Sequence, residues 1–209
     1  MSDFFQKSMR DILDLAASAA PAPGGGSVAA LLACLGLSMT AMVGNLTLGK
    51  KKYQAVQTEV RENITAATAL SAELESLLQE DMDVFTKFIA ALSLPQNTPE
   101  EQTNRARARE EALRLATETP LKIAGVCLEG LTLTARLAAI GNQSAISDAG
   151  VAALALEAAL NGALLNVRAN LGLLNDQAYI TWAREESDTL QTRAAALKAA
   201  ALQAACDRF

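Results

Sequence analysis

The chain has no histidine among its 209 residues, which removes imidazole acid–base catalysis, Ser–His and Cys–His nucleophilic pairs, and histidine metal sites. Proton transfer must fall to carboxylates, lysine, tyrosine, hydroxyls, amides or backbone N–H groups. The carboxylate best placed for it lies in "EDMDVF". Asp81 and Phe85 are four apart, on a helical face shared with Leu77, Leu78 and Phe88. A carboxylate on that apolar side is desolvated and holds its proton more tightly, as a general acid or base requires. Asp83 points elsewhere, toward solvent.

Four other segments carry polar chemistry. Gly24-Gly25-Gly26-Ser27 precedes a long apolar run. It has no Lys at the helix start and no strand before it, so it is neither a P-loop nor a dinucleotide turn. Residues without Cβ still let a ligand approach the backbone, and the free N–H groups of a helix start favour anions and acceptors. A tight corner between helices would use the same glycines, and spacing leaves the two readings open. "GKKKYQ" puts Lys50, Lys51 and Lys52 after an apolar helix, where they either complement its dipole or form a basic rim for a carboxylate-rich ligand. Tyr53 would add a ring face and a hydroxyl to that rim. "GNQSAISDAG" contains Asn142, Ser147 and Asp148, of which the last two suit a helix cap. Asn166 and Asn170 form an i, i+4 amide pair that needs partners from a ligand or a neighbouring helix.

The elements that must position these groups read as helices throughout. Phe4, Phe5, Met9, Ile12, Leu13 and Ala16 recur at helical spacing, so a first amphipathic helix should end near Ala20. Ser27 is a candidate N-cap for a second helix over 28–48. A long amphipathic helix should follow over 53–93. Thr98, Pro99 and Glu101 then form a capping box with Pro at the first helical position. Pro120 either kinks the next helix or restarts it over 121–140. An apolar helix over 149–167, with Glu157 as its one charge, and a last helix capped by Asp176 complete the chain. The Arg105, Arg107 and Arg109 run suits a solvated face. No window alternates with period two between hairpin turns. The expected fold is all-α, one domain over 1–209, a bundle of six to seven helices with two buried apolar helices at its centre.

Composition narrows the classes further. Half the residues are apolar, aromatics are 4%, and the net charge is −5. A core of Ala, Leu, Val and Ile follows, and a general nucleic-acid binder is disfavoured for want of a basic stripe. Cys34, Cys127 and Cys206 are odd in number and lie in apolar helical runs, as expected of buried free thiols in a reducing cytoplasm. "MSDFFQKSMRDILDL" lacks the basic and apolar regions of a signal peptide. Residues 28–48 are apolar enough to weigh as a membrane span, but small and polar interruptions such as Gly36, Thr40 and Asn45 fit a packed central helix better.

Taken in order, "PAPGGGSVAAL", "AMVGNLTLGKKKY", "DMDVF" followed by "LPQNTPEE", "GNQSAISDAGVAAL" and "LNVRANL" resemble one family. It unites the cyclodeaminase domain of formiminotransferase-cyclodeaminase with stand-alone bacterial methenyltetrahydrofolate cyclohydrolases, and the order matches over essentially the whole chain. The resemblance implies a helical homodimer with its site near the subunit interface, a tetrahydrofolate derivative as substrate, and no metal or further cofactor. The family's D-x-x-A-F aspartate falls on Asp81, with Val84 in place of Ala, and Gln79 stands where many members carry a second acid. The catalytic candidates are Asp81, with Asp148 second. Gly24, Gly25, Gly26, Ser27 and Ser147 would line the folate site. Lys50 and Lys51 would pair with its glutamate carboxylates, Tyr53 would flank it, and Asn142, Asn166 and Asn170 would hydrogen-bond the pterin. The expected activity is hydrolysis of 5,10-methenyltetrahydrofolate. Ammonia-releasing cyclodeamination and a silent folate- or partner-binding dimer are the alternatives.

Overall fold

The structure is a computed structural model that describes residues 4–209; the first three residues of the N-terminal stretch lie outside them. Six α-helices form an up-and-down bundle: α1 (Met9–Ala16), α2 (Gly25–Thr47), α3 (Gln57–Leu92), α4 (Pro99–Ile140), α5 (Ile146–Leu171) and α6 (Gln177–Cys206). No strand occurs among the described residues.

α2 and α5 form the centre, running antiparallel. Gly25 meets Asn166 at one end of the pair, and Gly36 meets Leu156 and Ala152 near its middle. A Cβ at Gly36 would come within 2.8 Å of Leu156, so the absent side chain is what lets the two axes close. At the crossing of α2 and α4, Thr40 and Thr134 satisfy each other's buried hydroxyls at 2.7 Å. α2, α4 and α5 are each long and apolar enough to cross a membrane by length and composition, and each buries half or more of that window inside the chain.

Several boundaries differ from expectation for local reasons. α1 stops at Ala16 and starts only after a Ser8–Asp11 capping box, while Phe4–Gln6 form a separate 3-10 turn. Lys51–Val56 are also 3-10, so α3 begins four residues later than periodicity suggests. Pro120 does not divide α4, which runs unbroken for 42 residues; Thr98, Pro99 and Glu101 open it with the expected capping box. Ser147 and Asp148 sit inside the first turn of α5, whose N-cap is Ala145, and do not cap it. Asp176 caps α6 through the N–H groups of Ala178 and Tyr179. Arg105 is not solvated: it binds Gln96 and the Leu92 carbonyl and ties the α3–α4 loop. Cys34 and Cys127 are buried free thiols, but Cys206 is exposed at the end of α6. Burial pushes the Cys34 thiol up to about 11 and that of Cys127 further, so neither is a thiolate at neutral pH.

Candidate active site

The glycine loop and the apolar-face carboxylate meet. α2 begins at Gly25 with Gly24 as an N-cap that has no side-chain hydrogen bond, so its first-turn amides keep no partner from a capping side chain. Ser27 was expected to cap. Instead it is the third residue of the helix, and its hydroxyl donates to Asp81 Oδ2 at 2.6 Å across 54 residues of sequence. The glycines are what allow this approach. A Cβ at Gly26 would lie 2.5 Å from Asp81 Oδ1, and one at Gly25 would lie 3.2 Å from Asn166 Nδ2. Gly26 thus makes room for the carboxylate and Gly25 for Asn166, while a Cβ at Gly24 would meet nothing within 4 Å.

Asp81 opens onto a partly open cavity of about 240 Å³ lined by Gly24 to Ser27, Met82, Phe85, Phe88, Asn166 and Asn170. Burial raises the proton affinity of Asp81, and donation by Ser27, from its hydroxyl and then its backbone, opposes the rise without cancelling it. Asn166 donates to the Gly162 carbonyl in its own helix at 2.9 Å, and Asn170 donates to the Ala116 carbonyl of α4 at 2.7 Å. Those bonds fix both amides and leave their carbonyl oxygens as acceptors at the cavity wall. Asp83 is half-buried rather than solvated, and it accepts from Gln79 at 3.0 Å.

The other candidates lie elsewhere in the chain. Lys50, Lys51, Tyr53, Asn142, Ser147 and Asp148 gather at the far end of α2, about 33 Å from the glycine loop by its 23-residue length. Asn142, expected at the pterin, is buried: its amide donates to the Leu46 carbonyl and its backbone N–H to Thr47 Oγ1. Tyr53 is buried too, its hydroxyl accepting from the Gln143 backbone at 2.9 Å. These two residues close the α2 and α4 ends structurally. Lys50, Lys51 and Ser147 are exposed and Asp148 is half-exposed. Within one chain none of the six reaches Asp81. Sequence reasoning put Phe85 and Phe88 on the face of Asp81, and both line the cavity; it missed Met82 as a wall and the Ala116 carbonyl as an anchor. Met82 is the next residue of α3 and was within reach of the periodicity; the Ala116 anchor needs the α4–α5 packing.

Fold and site together define an all-helical protein with a glycine-lined pocket around one desolvated carboxylate. The chain belongs to the formiminotransferase-cyclodeaminase family, whose profile matches residues 8–189. It is 39% identical to the methenyltetrahydrofolate cyclohydrolase of Methylorubrum extorquens over 91% of this chain and 92% of that one. It is 40% identical to mouse formimidoyltransferase-cyclodeaminase over 82% of this chain, and spans about a third (32%) of that longer protein. The solved formiminotetrahydrofolate cyclodeaminase of Thermotoga maritima shares its fold, with a TM-score of 0.87 over 96% of both chains at 24% identity.

Proposed function

We propose that this chain is a cytoplasmic methenyltetrahydrofolate cyclohydrolase that needs no cofactor beyond its folate substrate. The observation that carries the reading is Asp81, a desolvated carboxylate held by Ser27 in a pocket with amide acceptors. Similarity over nearly the full length of a cyclohydrolase supports the choice of reaction. Water adds to the amidinium carbon that bridges N5 and N10, and its proton passes to Asp81. The carboxylate's charge favours the cationic substrate, and its raised proton affinity suits the acceptance. The tetrahedral adduct then collapses: the N5–C bond breaks, Asp81 returns a proton to N5, and the adduct hydroxyl loses its own. One water is consumed and one proton released, giving 10-formyltetrahydrofolate. The Asn166 and Asn170 oxygens would accept from pterin N–H groups.

A second copy of the chain completes this reading. The cavity, about 240 Å³, is smaller than the roughly 300–1,000 Å³ of ordinary ligand sites, so it suits the bridged ring and not a whole folate. Along the outside of α2, Val28, Leu32, Leu35, Met39, Met42 and Leu46 recur with alternating spacings of four and three. Val28, Leu35 and Leu46 are 45%, 49% and 43% exposed. Such a heptad stripe seeks another helix. Lipid is a poor partner, because α3 alongside carries exposed Glu59, Arg61 and Glu73. Pairing two α2 stripes antiparallel about a two-fold axis sets the partner's Lys50 and Lys51 beside this chain's glycine loop, where folate carboxylates would extend.

Loss of methenyltetrahydrofolate absorbance with purified protein tests the reaction, alongside ammonia release from the formimino substrate. Hydrolysis without ammonia release is the expected result. Ammonia release would assign the cyclodeaminase instead, and activity on neither would overturn both.

A further inference from the structure

A second cavity, about 640 Å³, runs between α4 and α6, shares no lining residue with the glycine-loop pocket, and takes no part in the reaction above. Three observations point to an occupant. First, Gly125 lies in the middle of α4, where glycine disfavours the helix. The glycines at 36, 44, 130 and 141 are each explained by a neighbour that a Cβ would press against, whereas a Cβ at Gly125 would meet nothing within 4 Å. Its bare backbone serves no contact inside the chain; it deepens the groove. Second, Trp182 is 50% exposed in the groove, its ring 5.5 Å from that of Tyr179. Third, Tyr179 lines the groove at only 7% exposure, the Arg114 guanidinium lies 4.6 Å from its ring centroid, and its buried hydroxyl has no hydrogen-bond partner within the chain.

Charge selects the class of that group. Arg114 is paired with Glu118 and Asp176, and Lys122 with Glu80. Among the described residues no hydrogen bond or ion pair engages the carboxylate of Glu186, which lines the groove one turn beyond Trp182 on the same face of α6. An exposed indole beside an unpaired carboxylate attracts an organic cation, whose ammonium can lie against the ring and donate to Glu186. Leu121, Leu190 and the bare Gly125 backbone leave a flat apolar floor for a ring. We propose that the α4–α6 groove binds a small aromatic amine, its ring over Gly125 and its ammonium between Trp182 and Glu186.

Trp182 is the one tryptophan of the chain, so intrinsic fluorescence reports on this groove directly. The intact protein is titrated with phenethylamine, with 2-phenylethanol as its neutral counterpart and 3-phenylpropionate as an anion. A saturable change with the amine, at least about tenfold tighter than with either of the others, is expected. Gly125→Leu, whose Cβ would meet nothing within 4 Å, puts a branched side chain on the floor and should abolish the response while circular dichroism shows unchanged helix content. Glu186→Gln, which keeps the side chain's size and removes its charge, should weaken the amine about tenfold and leave the alcohol unchanged. No saturable response to the amine, equal affinity for all three probes, or wild-type amine binding in Glu186→Gln overturns the proposal. None of these outcomes depends on turnover at Asp81, so the groove stands or falls apart from the cyclohydrolase reading.

Discussion

Asp81 sits between two opposing influences, burial that favours its neutral form and Ser27 that favours the charged one, with burial the larger. Its proton affinity in the folded chain therefore exceeds that in the unfolded chain, whose ordinary value is 3.8. The linked stability is fully present below that value and is lost as pH rises through the elevated folded one, so at neutral pH the ionised group costs stability. Asn at this position still accepts from Ser27 but carries no charge. Asp81→Asn should lower turnover by roughly 10²–10⁴-fold while raising the Tm at pH 7, and the Tm difference should shrink as pH falls through the elevated folded value of Asp81 and level off below its ordinary value of 3.8. Thermal melts of both proteins from pH 3 to 8 check the sign; a Tm lower than wild type at pH 7 would contradict it. Gly26→Ala tests the geometry from the other side. Its Cβ would lie 2.5 Å from Asp81 Oδ1 and 2.9 Å from Cγ, so the carboxylate must swing away from Ser27. Activity should fall by about tenfold or more while helix content holds, since Ala is the better helix former. Retained activity would mean that the Ser27–Asp81 contact does not position the reacting group.

Helices differ in what their glycines do, and this separates readable from unreadable sequence. Gly125→Ala adds a helix-favouring methyl into open space on α4 and should stabilise by about 0.5–1 kcal/mol. Gly36→Ala drives a Cβ to 2.8 Å of Leu156 and 3.3 Å of the Ala152 carbonyl, and should destabilise by about 1–3 kcal/mol. Denaturant midpoints for the pair should move in opposite directions; movement the same way would show that α2–α5 packing does not need Gly36 bare. Nothing in the sequence distinguishes these two mid-helix glycines, because the difference lies in what faces them across the bundle. Periodicity and capping chemistry, by contrast, are local, so the Thr98 and Asp176 caps and the order of helices were legible. Ser27 was misread for the same reason that Gly36 is silent. A serine near a helix start has a local role available, and its partner Asp81 lies 54 residues away. Pro120 was read as a possible break because its local cost is certain, while the burial on both sides that carries α4 through it is tertiary.

At the scale of the whole molecule, the residues that looked like one site in sequence divide between the two ends of α2. The proposed pairing of α2 stripes about a two-fold axis would rejoin them, with Asp81 from one subunit and Lys50 and Lys51 from the other, and it would have a consequence that packing within one chain does not share. Asp81→Asn chains lack the reacting group but keep the lysines; chains carrying Lys50→Ala and Lys51→Ala lack the basic rim but keep Asp81. Each homodimer should be weak at low substrate concentration. In a mixed dimer one of the two sites joins an intact Asp81 to intact partner lysines and the other has neither. Random reassociation of equal amounts makes half the dimers mixed, so activity should recover to about a quarter of wild type. No recovery on mixing would place Asp81 and the lysines that serve it in the same chain, or leave the lysines without a role. Leu35→Glu provides the physical control. An isologous interface presents the new charge from both copies at once, so the variant should sediment as a monomer and lose turnover with its Asp81 pocket intact. A dimeric Leu35→Glu protein would remove α2 from the interface, and the shared site with it.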